Sequence, residues 1–524
     1  MSRLALQICF VLAFVLGTGA IACGSVLQEA EKAASAGLLQ TADVLFRQAF
    51  AELKDPGTIE AVVLHNDYGQ VFQSEWRFDE AEKEYRLALG INRALAQPVA
   101  AELAASLNNL GSLELSRGNS ASSETFFKQA YAVLKDNNLL HITTAGKIIS
   151  NLAVTVEKQR RSAEAEQLFE QGASIIRDTK GEKSVEFSRL LANWACADLD
   201  AGKYGESARK SERAVAIQAS SQPLNHRELA STLNTLGLAQ MNAGELRTAI
   251  SSFERSVSEQ RSLTELGDAK LAETLGNLGL AEYKRGLFDS AKQHEQQALD
   301  LLPHYVGNRD FLQATILNNL GLVSVAFKDA RAAKEYYDEA SRKWIAAGAT
   351  NDIRYAATLS NMANLEGQAG HHKKAASMLQ NALQIQACQV GLEHAEVAST
   401  LANLAAQEYF EKHYDTAVSL YEKALRIQEK TLGPGNIEVA RTLRNLAISE
   451  VGTKHLEDAA DHYGRAMAIV EHSNEPNVLQ ASWLREYASL LRRLDKFAQA
   501  EEAEVRASGL EVRNAINAEK TSFR

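Results

Sequence analysis

Between residues 58 and 510 one pattern of apolar and polar positions is written over and over. The string LNNLG at 107–111 returns as LNTLG at 233–237, LGNLG at 275–279 and LNNLG at 317–321. Looser copies are LSNMA at 359–363, LANLA at 401–405 and LRNLA at 443–447. The third residue of each string marks the frame: Asp67, Asn109, Asn151, Asn193, Thr235, Asn277, Asn319, Asn361, Asn403 and Asn445. Every step is 42 residues, and an eleventh copy follows at Glu486 after a step of 41. A fixed period of this length is the mark of stacked supersecondary units.

Each copy predicts two helices with a turn nine residues past the marker. Five copies place glycine there, Gly118, Gly202, Gly244, Gly286 and Gly370, which suits a helix that must stop and reverse at positive φ. Trp76, Arg160, Lys328, Lys412, Lys454 and Asp495 hold the position elsewhere. Past the turn, small residues come in pairs seven apart, as in Ala81 and Ala88, Ala165 and Gly172, or Ala417 and Ala424. Seven residues are two helical turns, so each pair shares a face on which another helix can approach closely. Neighbours such as Phe127, Phe169, Phe253, Tyr337 and Tyr421 fill the space around them. All six prolines (Pro56, Pro98, Pro223, Pro303, Pro434 and Pro476) fall between copies, where a helix has to end.

The fold class that follows is all-α, a solenoid of about twelve helix-turn-helix units. Residues 23–57 read as a partial capping copy, with Gly37, Ala42, Phe46 and Ala49 in matching places. Residues 58–510 are the array of eleven, and 511–524 a polar closing tail. No stretch is left for a separate catalytic domain.

Residues 1–22, MSRLALQICFVLAFVLGTGAIA, follow another rule. Arg3 precedes an apolar run from Leu4 to Leu16, broken only by Gln7. Small residues then lead to Ala20-Ile21-Ala22, a secretory cleavage pattern. Cys23 comes next, and AIAC resembles a bacterial lipobox, whose cysteine carries a lipid; Ala20 stands where that family has Leu. Three readings stay open: lipidation at Cys23, plain secretion, and an uncleaved anchor, since Leu4–Ala22 is just long enough to span a bilayer.

Composition narrows the function classes. The chain of 524 residues is 45% hydrophobic and 23% charged, ordinary globular figures. Its 56 basic and 66 acidic residues give a net charge of −10, and no basic face is advertised for nucleic acid. Cys196 and Cys388, 192 residues apart, lie far outside the ~7 Å reach of a disulfide and read as ordinary buried thiols. There is no phosphate-cradling glycine loop, HExxH or nucleophile elbow. His371, His413 and His455 follow the turn position in three consecutive copies. Metal ligation needs donors within ~2.1 Å of one ion, whereas packed helices separate these by ~8–10 Å. No cofactor, metal or catalytic residue is expected.

The whole pattern, over about residues 26–510, resembles the tetratricopeptide repeat family, in the longer form seen in kinesin light chains. The resemblance implies a right-handed superhelix, with first helices lining the concave side and second helices outside. It implies a non-enzymatic scaffold for protein or extended peptide partners. In that family the marker residue projects into the groove and bonds the backbone of a bound peptide. Asn109, Asn151, Asn193, Asn277, Asn319, Asn361, Asn403 and Asn445 hold that place here, and a carboxamide both donates and accepts. The competing reading is that they bond the neighbouring repeat and fix the stacking. Lys147 and Arg189, four residues before their markers, resemble part of a carboxylate clamp for acidic or C-terminal ligands; Ser231 and Glu273 leave it incomplete. Arg441, Arg444 and Arg485 form a second basic cluster. The expected protein is exported to the periplasm or cell envelope and touches membrane only through a lipid at Cys23. Its alternatives are a membrane-anchored cytosolic adaptor and an envelope enzyme with a site in the groove.

Overall fold

The computed structural model describes residues 25–35, 39–74, 77–222, 224–262, 269–304, 309–471 and 477–522. Residues 1–22, where a secretory leader is expected, Cys23 and Trp76 lie outside them. The chain divides into two compact units, one ending at Phe327 and the other beginning at Lys328. The first unit opens with α1 (Ser25–Ser35), α2 (Leu39–Glu52), α3 (Ile59–Ser74), α4 (Phe78–Ala94), α5 (Ala100–Ser116), α6 (Ser120–Asp136), α7 (Thr143–Lys158) and α8 (Ser162–Lys180). It continues through α9 (Val185–Asp200), α10 (Tyr204–Ala219), α11 (His226–Asn242), α12 (Leu246–Arg261), α13 (Ala269–Arg285), α14 (Phe288–Leu301) and α15 (Arg309–Ala326). The second unit holds α16 (Ala330–Ala346), α17 (Ile353–Gln368), α18 (His372–Val390), α19 (Ala395–Phe410), α20 (Tyr414–Leu432), α21 (Ile437–Thr453), α22 (Leu456–Glu471), α23 (Asn477–Arg493) and α24 (Phe497–Ser522). Among the described residues there is no strand, and no helix is long and apolar enough to cross a membrane.

From α3 onward odd-numbered helices carry the marker strings and are the first helices of their repeats. Within each unit every helix packs on its sequence neighbours, and first helices also touch each other, as α7 touches α9. The stripes of small residues lie where the period put them. Ala81, Ala88, Ala165, Gly172, Ala417 and Ala424 are all buried. So are Ala42 and Phe46 of α2, in the partial copy.

The glycine that ends the marker string has a specific job. An added Cβ on Gly69, Gly111 or Gly237 would stand 2.6, 2.8 or 2.6 Å from the ring of Tyr85, Phe127 or Phe253, closer than van der Waals contact allows. The ring of the second helix sits on bare backbone of the first, and that seat sets the distance between them. The turn is equally constrained. Gly118 has φ 84° and Gly244 85°, while Arg160, Lys412 and Lys454 take 63°, 65° and 69°. The amide of Asn119 closes on the carbonyl of Glu114, and those of His413 and His455 close on Glu408 and Glu450. This is the six-to-one bond of a Schellman stop, and the lysines and arginine accept a left-handed strain of roughly 1–2 kcal/mol to make it.

Two expectations change. Residues 511–522 continue α24, so the polar tail is the end of the last helix. Cys196 is buried, but Cys388 is exposed. It follows buried Gln386 by two positions on α18, and two residues along a helix turn a side chain about 200° away from its neighbour's face.

Ala424 is fully buried in a cluster with Val397 and Leu401 of α19. Ala424→Leu is expected to destabilise the protein by roughly 1–3 kcal/mol through overpacking, read as a lower urea midpoint. Lys423→Leu on the exposed side of the same helix is the control, and equal effects would contradict the packing assignment.

Candidate functional site

The marker residues divide into two sets. Asn109, Asn151, Asn277 and Asn319 are buried at 2–7% exposure. Asn151 donates to the carboxamide oxygen of Asn108 at 2.8 Å, Asn277 to that of Asn234 at 3.1 Å, and Asn109 to that of Asn66 at 3.5 Å. In each case the acceptor stands just before the marker of the preceding repeat. Asn319 donates to Glu295 at 2.9 Å. These four therefore fix the stacking and do not project toward a ligand: a carboxamide turned outward would leave its buried neighbour unmatched, at a cost of about 1–3 kcal/mol. Asn193, Asn361, Asn403 and Asn445 are only partly covered. For three of them the preceding repeat offers Ser150, Ser360 or Ala402, side chains shorter than asparagine. In the first copy Asp67 takes the marker's place, and burial followed by the charges of Glu31 and Glu102 pushes its carboxyl well above the usual range.

Lys147 and Arg189 lie together on this first-helix face. Burial, then the charge of Arg189, lowers the Lys147 ammonium to about 8. The Arg189 guanidinium grips Glu228 of the next repeat, Nη2 to Oε1 at 2.7 Å and Nε to Oε2 at 3.0 Å. Arg189 also lines a pocket of about 90 Å³ with Asn193, Cys196, Arg227, Ser231, Thr235 and Lys270. Ser74, at the end of α3, lines the same pocket. A residue of the first repeat thus meets residues of the fourth, fifth and sixth, so the first-helix face of this unit curves in upon itself. Sequence reading missed Arg227 and Lys270 because it looked only four residues before the marker. They stand eight and seven before theirs, one further helical turn along the same face.

The remaining charged candidates are structural. Arg444 binds Glu486 through Nε at 2.7 Å, Arg485 binds Glu511 at 2.9 Å, and Arg441 lies 3.6 Å from Glu438. That basic cluster is internally neutralised. His371 and His413 bond Glu366 and Glu408, each at 2.7 Å, and His455 bonds Thr453 at 2.9 Å. Each histidine serves its own turn, and among the described residues no group of three ligand-type side chains could hold a metal. Further polar rungs tie the two helices of one repeat together: Asp198 with Lys210 at 2.5 Å, Gln240 with Ser252 at 2.8 Å, Glu282 with His294 at 2.8 Å, and Glu450 with His462 at 2.9 Å.

The chain resembles the crystal structure of BtubC (BKLC) from P. vanneervenii at 20% identity and a TM-score of 0.35, over 46% of this chain and 92% of that one. It resembles a Rap protein complexed with Competence and Sporulation Factor at 13% identity and 0.47, over 71% and 99%. The Cut9–Hcn1 hetero-tetramer of APC/C gives 14% and 0.39, over 89% and 95%. None superimposes closely enough to speak for this chain's partner. No curated protein matches. The tetratricopeptide repeat family model matches residues 60–136, 228–304, 312–387 and 396–472. With more than half of its length matched and its helix pairs in place, the chain belongs to the tetratricopeptide repeat family.

Proposed function

We propose that the chain is an exported, non-catalytic scaffold that holds a protein or extended peptide partner along the first-helix face of residues 59–326. Repeat arrays of this kind present extended surfaces for binding. The observation that carries the reading is the pocket: Arg189, Arg227 and Lys270 converge there from three consecutive repeats, with Glu228 as the acid already gripped by Arg189 and Lys147 within reach of the Arg189 charge. Such a site suits a carboxylate of the partner, from an acidic side chain or a chain end. Partly covered Asn193 stands at the same pocket with a donor and an acceptor for peptide backbone. The 42-residue spacing resembles that of kinesin light chains, but export sets this chain apart, and that protein's partner is not transferred.

The test uses a partner recovered with the intact mature protein and measured by titration calorimetry. Arg227→Ala with Lys270→Ala should weaken binding about ten- to a hundredfold, since a hydrogen bond to a charged group contributes about 1.5–3 kcal/mol and the two cations would share one carboxylate. The loss should shrink as salt rises. Asn193→Ala should weaken binding by about 0.5–1.5 kcal/mol. Asn151→Ala should leave affinity alone and lower the unfolding midpoint. Unchanged affinity in the double cation variant would place the site elsewhere.

Export and lipidation rest on residues 1–23. Labelled fatty acid should follow the protein in its host, and Cys23→Ser should release it to the soluble fraction. Mass mapping of the mature N-terminus distinguishes the cleaved forms from an uncleaved anchor. A terminus still at residue 1 or 2 would overturn export with cleavage.

A further inference from the structure

The sixth repeat breaks the packing rule of its neighbours. Its second helix, α14, presents Glu295 at the position where other repeats seat Tyr85, Phe127 or Phe253 on a glycine. Glu295 occupies that seat: a Cβ on Gly279 would come within 2.8 Å of its Cγ and its Oε1. The side chain is fully buried, at 0% exposure. Across the joint to the next repeat, Nδ2 of Asn319 on α15 donates to Oε1 at 2.9 Å. Two acceptors remain without partners in the same buried place, Oε2 of Glu295 and Oδ1 of Asn319. A carboxylate cannot relieve this, because it only accepts. One proton on Oε2 supplies the missing donor, and the acid can then pair with the carboxamide through two bonds, as acid–amide dimers do.

We propose that Glu295 and Asn319 form a proton lock between the sixth and seventh repeats, closed by a neutral carboxylic acid and opened when that proton is lost. The surroundings favour the neutral form. Burial pushes the Glu295 carboxyl well above its ordinary range, the bond from Asn319 opposes the shift, and the charge of Glu282 adds to it. From α13 the titratable neighbour is Glu282; from α14 it is His294, which bonds Glu282 at 2.8 Å. The other close groups are uncharged: Gly276 on α13 and Ile316 and Asn319 on α15.

The sign follows from proton linkage. An acid that holds its proton more tightly when folded stabilises fully below its unfolded pKa, near the ordinary glutamate value. That contribution is lost as pH rises toward the folded pKa. Each pH unit in that window multiplies the local opening constant about tenfold. Because α13 also carries Lys270 to the pocket, opening would disturb the proposed binding face, although the lock itself does not depend on what binds there.

The test compares wild type, Glu295→Gln and Glu295→Phe as full-length mature proteins. Gln keeps both bonds to Asn319 without titrating, and Phe restores the ring used elsewhere, so at least one should fold. Hydrogen exchange by mass spectrometry, corrected for intrinsic rates, is followed from about pH 5 to about pH 9. In wild type the segments covering α13–α15 should open progressively with pH while α5–α8 hold constant, and in both variants the trend should vanish. Infrared difference spectra at neutral pH should show a protonated-carboxyl stretch in wild type that Glu295→Gln removes. Parallel pH dependence in wild type and variants, or the absence of that stretch, would overturn the lock.

Discussion

Everything in this fold depends on how close the two helices of a repeat can come. In the first, second and fifth repeats a ring on the second helix rests on glycine backbone of the first, and in the other repeats, as in these, small residues two turns apart keep the contact thin. Because the spacing is the same in each copy, neighbouring repeats meet similar surfaces and stack without a special interface. Within each unit the core is therefore a series of local contacts between successive helices, as expected for a repeat architecture. Turn geometry serves the same end: with Arg160, Lys412 and Lys454 held at positive φ, the chain takes local strain to keep the helix pair in register.

Polar residues inside this core specify what apolar packing cannot. The asparagine ladder binds repeat to repeat through Asn66 and Asn109, Asn108 and Asn151, and Asn234 and Asn277. A one-residue slip would leave buried carboxamides unmatched, so the ladder penalises misregister more than it adds to stability. The rungs between marker-plus-five and marker-plus-seventeen act likewise within a repeat, and they use a different chemistry each time. Asp198 pairs with Lys210, Gln240 with Ser252 and Glu282 with His294. Such individual pairings favour the native neighbour over the other, near-identical repeats.

The helix pairs, the turns and the small-residue stripes were legible in the sequence, because each follows from spacing alone. The roles of the marker asparagines were not. Whether Asn151 faces a ligand or the stack depends on whether the residue before the previous marker is Asn108 or something shorter, a pairing across 43 residues. Arg189 was visible as a cation, but its grip on Glu228 was hidden because two registers of neighbouring helices meet there. The pocket was invisible for a deeper reason. Ser74 reaches it from a repeat far back along the chain, and that depends on small rotations summed over several repeats. Glu295 carries no motif of its own, and only its place in the frame of Phe127 and Phe253 marks it as buried.

We propose that partners are held on the first-helix face around Arg189, Arg227 and Lys270 and not on the second helices. Site-specific photo-crosslinking in the native host tests it most directly. One probe replaces Ser231, which lines the pocket, and another replaces exposed Lys423 on α20. The account predicts a discrete adduct from position 231, competed away by raised salt, and none from position 423. Adducts from position 423 alone would contradict it.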